Sequence, residues 1–99
     1  GALRDTEEGK GSFDLLPFEP ILRLAQLYQR GKTKYGKNNW QKGIPISRCY
    51  SSMLRHAFQA SARMKDEDHL AAVVFNAFAI MYYEEKIKTG ELPKELKGL

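Results

Sequence analysis

The sequence predicts an all-α protein: about three main helices with an extended N-terminal arm, packed as a homo-oligomeric helical bundle. Three observations carry this expectation. Apolar residues recur at helical spacing in two stretches, Ile21, Leu24, Ala25 and Tyr28, then Tyr50, Met53, Leu54, Ala57 and Phe58. A third stretch, Leu70 to Tyr83, is apolar or aromatic at thirteen of fourteen positions, a pattern that suits a helix surrounded by protein. No run alternates apolar and polar residues long enough for a useful strand. With 99 residues the chain forms one domain, 1–99, near the lower limit for a self-sufficient core. So small a domain rarely surrounds a helix alone, and subunit packing is therefore expected.

The elements follow in order. Residues 1–16 hold Gly1, Gly9 and Gly11 without periodicity and read as an arm, its end tethered to the core by Phe13, Leu15 and Leu16. Pro17 and Pro20 flank Glu19, which suits a first helical turn, and helix 1 is expected from about Pro17 to Arg30. The segment between Gly31 and Gly36 continues it for a turn before it breaks. Residues 36–46 are loop by composition, punctuated by Gly43 and Pro45 and anchored by Trp40. Ser47 is the expected N-cap of helix 2, whose polar side carries Arg48, Ser52, Arg55, Gln59 and Arg63. Helix 3 is expected from near Asp66, with Glu67 and Asp68 suited to the positive end of its dipole. Gly90 and Pro93 end it.

Composition narrows the function. Charged residues make up 28% and the mean hydropathy is -0.51, as in an ordinary globular protein. No apolar stretch is long enough to span a membrane, and the charged N-terminus has no signal-like apolar segment, so a cytoplasmic protein is expected. One cysteine forms no internal disulfide and no Cys-pair metal site. Cys49 is read as packing, and Gly9-Lys10-Gly11 lacks the spacing of a phosphate-binding loop. The nine basic residues from Arg30 to Lys65 stand without a single acid between them, while both flanks are net acidic. A basic middle with acidic ends points to an anionic ligand, held together with a cation bound by the acids.

Several residues are able to carry chemistry there. Asp66, His69 and Asn76 share one face of helix 3 at i, i+3 and i+10. A buried asparagine needs partners for its amide, either neighbouring backbone or a base, sugar or metal-bound water. A short turn centred on Lys65 brings His56 and His69 toward one cavity, with Asp66 or Asp68 nearby. Two imidazoles and a carboxylate bind a transition metal. Alternatively, Arg55 and His56 hold phosphate oxygens. Glu84, Glu85 and Lys88 read as a solvated face, and Tyr82 and Tyr83 as interface residues. A DNA-associated role through the arginines of helix 2 is the weaker reading, because the loop before that helix is long and glycine-rich.

The segments RDTEEGKGSFDLLP, YQRGKTKYGKNNWQKGIPISR, LRHAF and DEDHLAAVVFNAFAIMYYEE resemble a small family common in phage genomes, the N-terminal domain of dATP/dGTP diphosphohydrolases. The resemblance runs from Arg4 to about Pro93. Its most specific pieces are Lys34 to Gly43, Arg55-His56, and Asp68 to Ala72 with Asn76. These enzymes are similar to all-α, MazG-like nucleotide pyrophosphatases, which cleave a nucleoside triphosphate to monophosphate and diphosphate with Mg²⁺ held by acidic pairs. The resemblance implies a phage protein acting in the host cytoplasm on a purine dNTP. Lys34, Tyr35, Asn39, Trp40, Lys42, Arg55, His56 and Asn76 would bind nucleotide. Asp66, Glu67, Asp68 and His69 would form the catalytic group, with Asp66, Asp68 and His69 holding Mg²⁺ or Mn²⁺. No helix carries the E-x-x-E pair of the larger group, so the three clustered acids suit one ion. A non-catalytic domain that sequesters a nucleotide is the alternative.

Overall fold

The computed structural model describes residues 9–36 and 39–97, without the side chains of Lys34 and Tyr35. Among the described residues there are three α-helices and no strand: α1 Phe18–Tyr35, α2 Ile46–Ser61 and α3 His69–Lys88. Short 3-10 turns at Phe13–Leu15, Asn39–Lys42 and Lys94–Lys97 join or flank them. None of the helices is long and apolar enough to cross a membrane.

Each helix boundary has a local cause. α1 passes through Gly31 and ends where Gly36, at φ +95°, turns its N–H back to the Lys32 carbonyl at 3.0 Å. A single interior glycine costs only about 1 kcal/mol, so the helix survives it. α2 begins one residue before the expected cap. Pro45, not Ser47, stands at the N-cap, and its carbonyl accepts from the N–H groups of Arg48 and Cys49. Starting there places Ile46 in the core. α3, by contrast, starts later than expected: Asp68 is the N-cap and its carboxylate accepts the Ala71 N–H at 3.1 Å. Asp66 and Glu67 therefore precede the helix rather than occupy its first turn.

α2 packs antiparallel to α3, and α1 lies along α3 in parallel, touching α3 far more than α2. The apolar core fills one end of the α2–α3 hairpin, where Ile46 and Cys49 meet Ala79, Ile80 and Tyr83. Burial pushes the Cys49 thiol up and the Tyr83 phenol up to about 12. The Tyr83 hydroxyl donates to the Trp40 carbonyl, so the expected anchor holds the loop at this end. Tyr82 and Tyr83 thus pack within one chain instead of at the expected interface: Tyr82 meets the Trp40 ring edge-on at 4.7 Å. Phe13 and Leu15 are 80% and 78% exposed and do not tether the arm, since α1 turns its packed side to α3 and no element among the described residues covers its start.

At 100° per residue the remaining faces can be placed. Phe75 and Tyr82 of α3 lie on the α1 side of the hairpin, as do Arg48 and Arg55 of α2. Leu70, Val74 and Met81 of α3 and Tyr50 and Leu54 of α2 lie away from that side, while Phe78 and Phe58 stand at the outer edges of the hairpin, all of them well exposed. The hairpin therefore has one covered, basic side and one bare, apolar side.

Candidate functional site

The end of the hairpin away from the apolar core is polar inside. His56, His69 and Asn76 are buried there at 7%, 2% and 8% exposure. Such groups are costly inside a domain unless each finds partners, and most of their polar atoms do. The Asn76 amide donates to the Ala72 carbonyl at 2.8 Å and to the Ser52 hydroxyl at 3.4 Å, tying α3 to α2. Its NH₂ is thus spent on neighbouring backbone and side chain, the first of the two roles the sequence allows.

The two imidazoles face each other. His56 Nδ1 stands 2.9 Å from His69 Nδ1, and His69 Nε2 stands 2.8 Å from Asp66 Oδ1. The carboxylate fixes the His69 proton on Nε2, so the His69 Nδ1 lone pair accepts from the His56 Nδ1–H. Burial, reinforced by the Arg55 charge, pushes His56 below the ordinary imidazole range and favours the neutral ring. The hydrogen bond with His69 in turn lowers Asp66. One nitrogen of each imidazole and a Glu67 carboxylate oxygen lie within 4.8 Å of one another. The antiparallel hairpin thus brings His56 and His69 into one place, as expected. The nearby carboxylate that completes the group is Glu67.

Asp68 is occupied elsewhere. Both its oxygens are taken by the Arg23 guanidinium, Nε to Oδ2 at 2.8 Å and Nη2 to Oδ1 at 2.6 Å. This fork, helped by the Ala71 N–H, holds the Asp68 carboxyl down at about 2. The expected metal trio of Asp66, Asp68 and His69 therefore does not converge: Asp68 points to α1, and Asp66 backs His69 from behind. Around this corner a cavity of about 270 Å³ is lined by Arg23, Arg63, Lys65, Glu67, Asp68 and His69 among others. Arg63 lies in the left-handed region at φ +63°. Its N–H bonds to the Ala60 carbonyl and that of Met64 to the Gln59 carbonyl, which closes α2 with a Schellman turn.

A second cleft, of about 680 Å³, opens beside α1. Tyr28, Trp40 and Phe75 wall it, with Lys32, Asn39 and Ile44 around them. The Tyr28 ring lies 5.1 Å from Phe75 and 5.7 Å from Trp40. Of the expected nucleotide-binding residues, Trp40 and Asn39 line this cleft, while Lys42 ends its turn exposed and outside the lining. Arg55 is exposed on α2, its guanidinium 3.5 Å from the Ser52 hydroxyl. Lys34 and Tyr35 fall in the last turn of α1, but their side chains lie outside the described residues. Sequence reasoning missed Arg23, Arg63 and Phe75 at these sites. Arg23 carried no signal, because its partner is 45 residues away. Phe75 was hidden in a run apolar on every side.

Fold and site together define a small helical domain with a polar, imidazole-bearing corner and an aromatic cleft that has Lys32 at its edge. The chain belongs to the dATP/dGTP diphosphohydrolase N-terminal family, whose model matches residues 1–91. That membership ties it to nucleotide hydrolysis. Comparison with curated proteins and with solved structures finds no match.

Proposed function

We propose that this domain binds a purine deoxynucleoside triphosphate and takes part in hydrolysing its phosphoanhydride chain. The observation that carries the reading is the cleft walled by Tyr28, Trp40 and Phe75. A cavity of about 680 Å³ holds a nucleoside-sized ligand, and aromatic walls stack a base. Lys32 at its edge and the basic side of α2, with Arg48 and Arg55, supply charge for the phosphates. In the reaction, a water oxygen attacks a phosphorus and the anhydride P–O bond breaks, giving monophosphate and diphosphate.

Mg²⁺ is a poor match for the corner as the protein builds it. That ion prefers oxygen ligands in octahedral array. Arg23 holds Asp68, Asp66 bonds His69, and among the described residues Glu67 alone keeps a free carboxylate beside two imidazoles. Mg²⁺ would therefore arrive on the nucleotide phosphates, whereas Mn²⁺ accepts nitrogen ligands as well. The commitment of Asp68 to Arg23 also favours a second reading, a domain that binds and sequesters the nucleotide without turnover. Incubation with each dNTP plus Mg²⁺ or Mn²⁺, followed by separation of products, tests the first reading. Monophosphate from dATP and dGTP is expected. All four dNTPs remaining whole at high protein concentration removes the catalytic reading.

A second copy of the chain is the proposed cover for the bare side of the hairpin. Leu70, Val74 and Met81 with Tyr50 and Leu54 form a two-helix apolar layer, and a like layer is self-complementary under two-fold symmetry. Fully burying each Leu, Val or Met contributes about 1.5–3 kcal/mol, enough in sum to offset association.

A further inference from the structure

We propose that His56, His69 and Glu67 form a binding site for a divalent transition-metal ion of the kind that favours imidazole nitrogen, such as Zn²⁺, and that the site discriminates against Mg²⁺. The inference does not depend on the nucleotide reading. It rests on how the hairpin is built. Two imidazoles from different helices are buried at its polar end with their Nδ1 atoms 2.9 Å apart. For metal–nitrogen bonds of about 2.0–2.1 Å, two ligands at a right angle stand about 2.9 Å apart and two at a tetrahedral angle about 3.4 Å. The nitrogen spacing therefore suits a shared ion once each ring turns its Nδ1 lone pair off the N–N line toward it.

The surroundings suit a metal ligand set. Asp66 accepts from His69 Nε2–H at 2.8 Å, which leaves Nδ1 as the lone-pair nitrogen and fixes the ring plane. A carboxylate behind a ligating histidine is the usual outer support of such a site. In the metal-free protein His56 Nδ1–H donates to His69. On binding, His56 carries its proton on Nε2 instead, and both Nδ1 lone pairs turn to the ion. Glu67 is exposed and its carboxylate has no hydrogen-bond partner among the described residues, and a carboxylate oxygen already lies within 4.8 Å of a nitrogen of each ring. Rotation of its side chain brings it to the ion from the solvent side, where the 270 Å³ cavity leaves room for water ligands. Two nitrogens and one oxygen with open positions match zinc-like metals, and oxygen-seeking Mg²⁺ gains little from them.

The test uses metal-stripped full chain without a histidine tag and without nucleotide. Co²⁺ is added and its visible d–d absorption followed, and Zn²⁺ and Mg²⁺ are titrated calorimetrically. The expected result is one Co²⁺ or Zn²⁺ per chain, with Zn²⁺ at least a hundredfold tighter than Mg²⁺. Glu67→Gln, a surface change that leaves the hairpin intact, should weaken Zn²⁺ at least tenfold. His56→Asn should abolish the Co²⁺ band, with circular dichroism checking that the helices remain. Absence of any Co²⁺ band in the wild type overturns the proposal and leaves the pair as a plain imidazole hydrogen bond. Zn²⁺ binding that is equal in wild type, Glu67→Gln and folded His56→Asn overturns it too, because the ion then sits elsewhere.

Discussion

Arg23 and Asp68 show how one residue pair settles what a sequence leaves open. Asp68 was eligible as a metal ligand, a catalytic acid or a helix cap, and the structure gives it the cap and a guanidinium fork. Its carboxyl is held at about 2 in the folded chain against 3.8 ordinarily. A lowered acid stabilises the fold above its unfolded value and loses that contribution as pH falls through the folded one. The folded chain should therefore lose stability between about pH 4 and pH 2, and Arg23→Ala should flatten that limb by letting Asp68 protonate near its ordinary value. Thermal unfolding across that pH range checks it, and identical acid limbs in both proteins would refute the coupling. The His56–His69 meeting was legible because a short turn between antiparallel helices fixes which residues face each other. The Arg23 contact was not, since nothing in a sequence measures a separation of 45 residues on two different helices.

At the scale of elements, periodicity gave the helices α1 and α2 but not the whole of their packed faces, and it failed for α3. Leu24 and Tyr28 pack as their spacing says, whereas Ile21 is exposed. Of the stripe Tyr50, Met53, Leu54, Ala57 and Phe58 only Met53 meets the core, because the packed face of α2 runs through Ile46, Cys49, Met53 and His56. Leu70 to Tyr83 is apolar all round, so nothing in it says that Phe75 turns to α1, Ile80 to α2 and Phe78 to solvent. Ends were less legible than interiors. The Ser47 cap yielded to Pro45 because burying Ile46 outweighed one side-chain hydrogen bond. The close of α2 falls on Arg63, a left-handed position that usually takes glycine. The equivalent turn after α3 uses Gly90, at φ +82°. Arg63 thus carries backbone strain at the mouth of the cation-lined cavity. Arg63→Gly should stabilise the fold by about 1 kcal/mol while weakening the affinity for phosphate-bearing ligands. Urea unfolding paired with a nucleotide titration reads both effects. A destabilised variant would show that the arginine side chain, not the backbone, closes the turn.

For the whole molecule, three helices in up–down–up order separate two tasks. One side of the α2–α3 hairpin, covered by α1, carries the arginines and the aromatic cleft, and the other carries bare apolar residues. The expectation of a partner for α3 follows from its all-round apolarity, and the exposed Met81 and Leu54 mark where the proposed second copy would sit. Light scattering should give a multiple of the 11.3 kDa chain, and Met81→Glu with Leu54→Glu should give the single-chain mass. A wild type that stays at one chain's mass would instead leave this side for a different partner. On the other side, the proposed purine deoxynucleotide stacks against the wall that Tyr28, Trp40 and Phe75 form together. Trp40 is the chain's one tryptophan, so its emission reports directly from the cleft wall. Titration of the metal-free protein with each of the four deoxynucleoside triphosphates should change that emission saturably, with dATP and dGTP acting at lower concentration than dCTP and dTTP. Emission that stays unchanged with all four contradicts the claim.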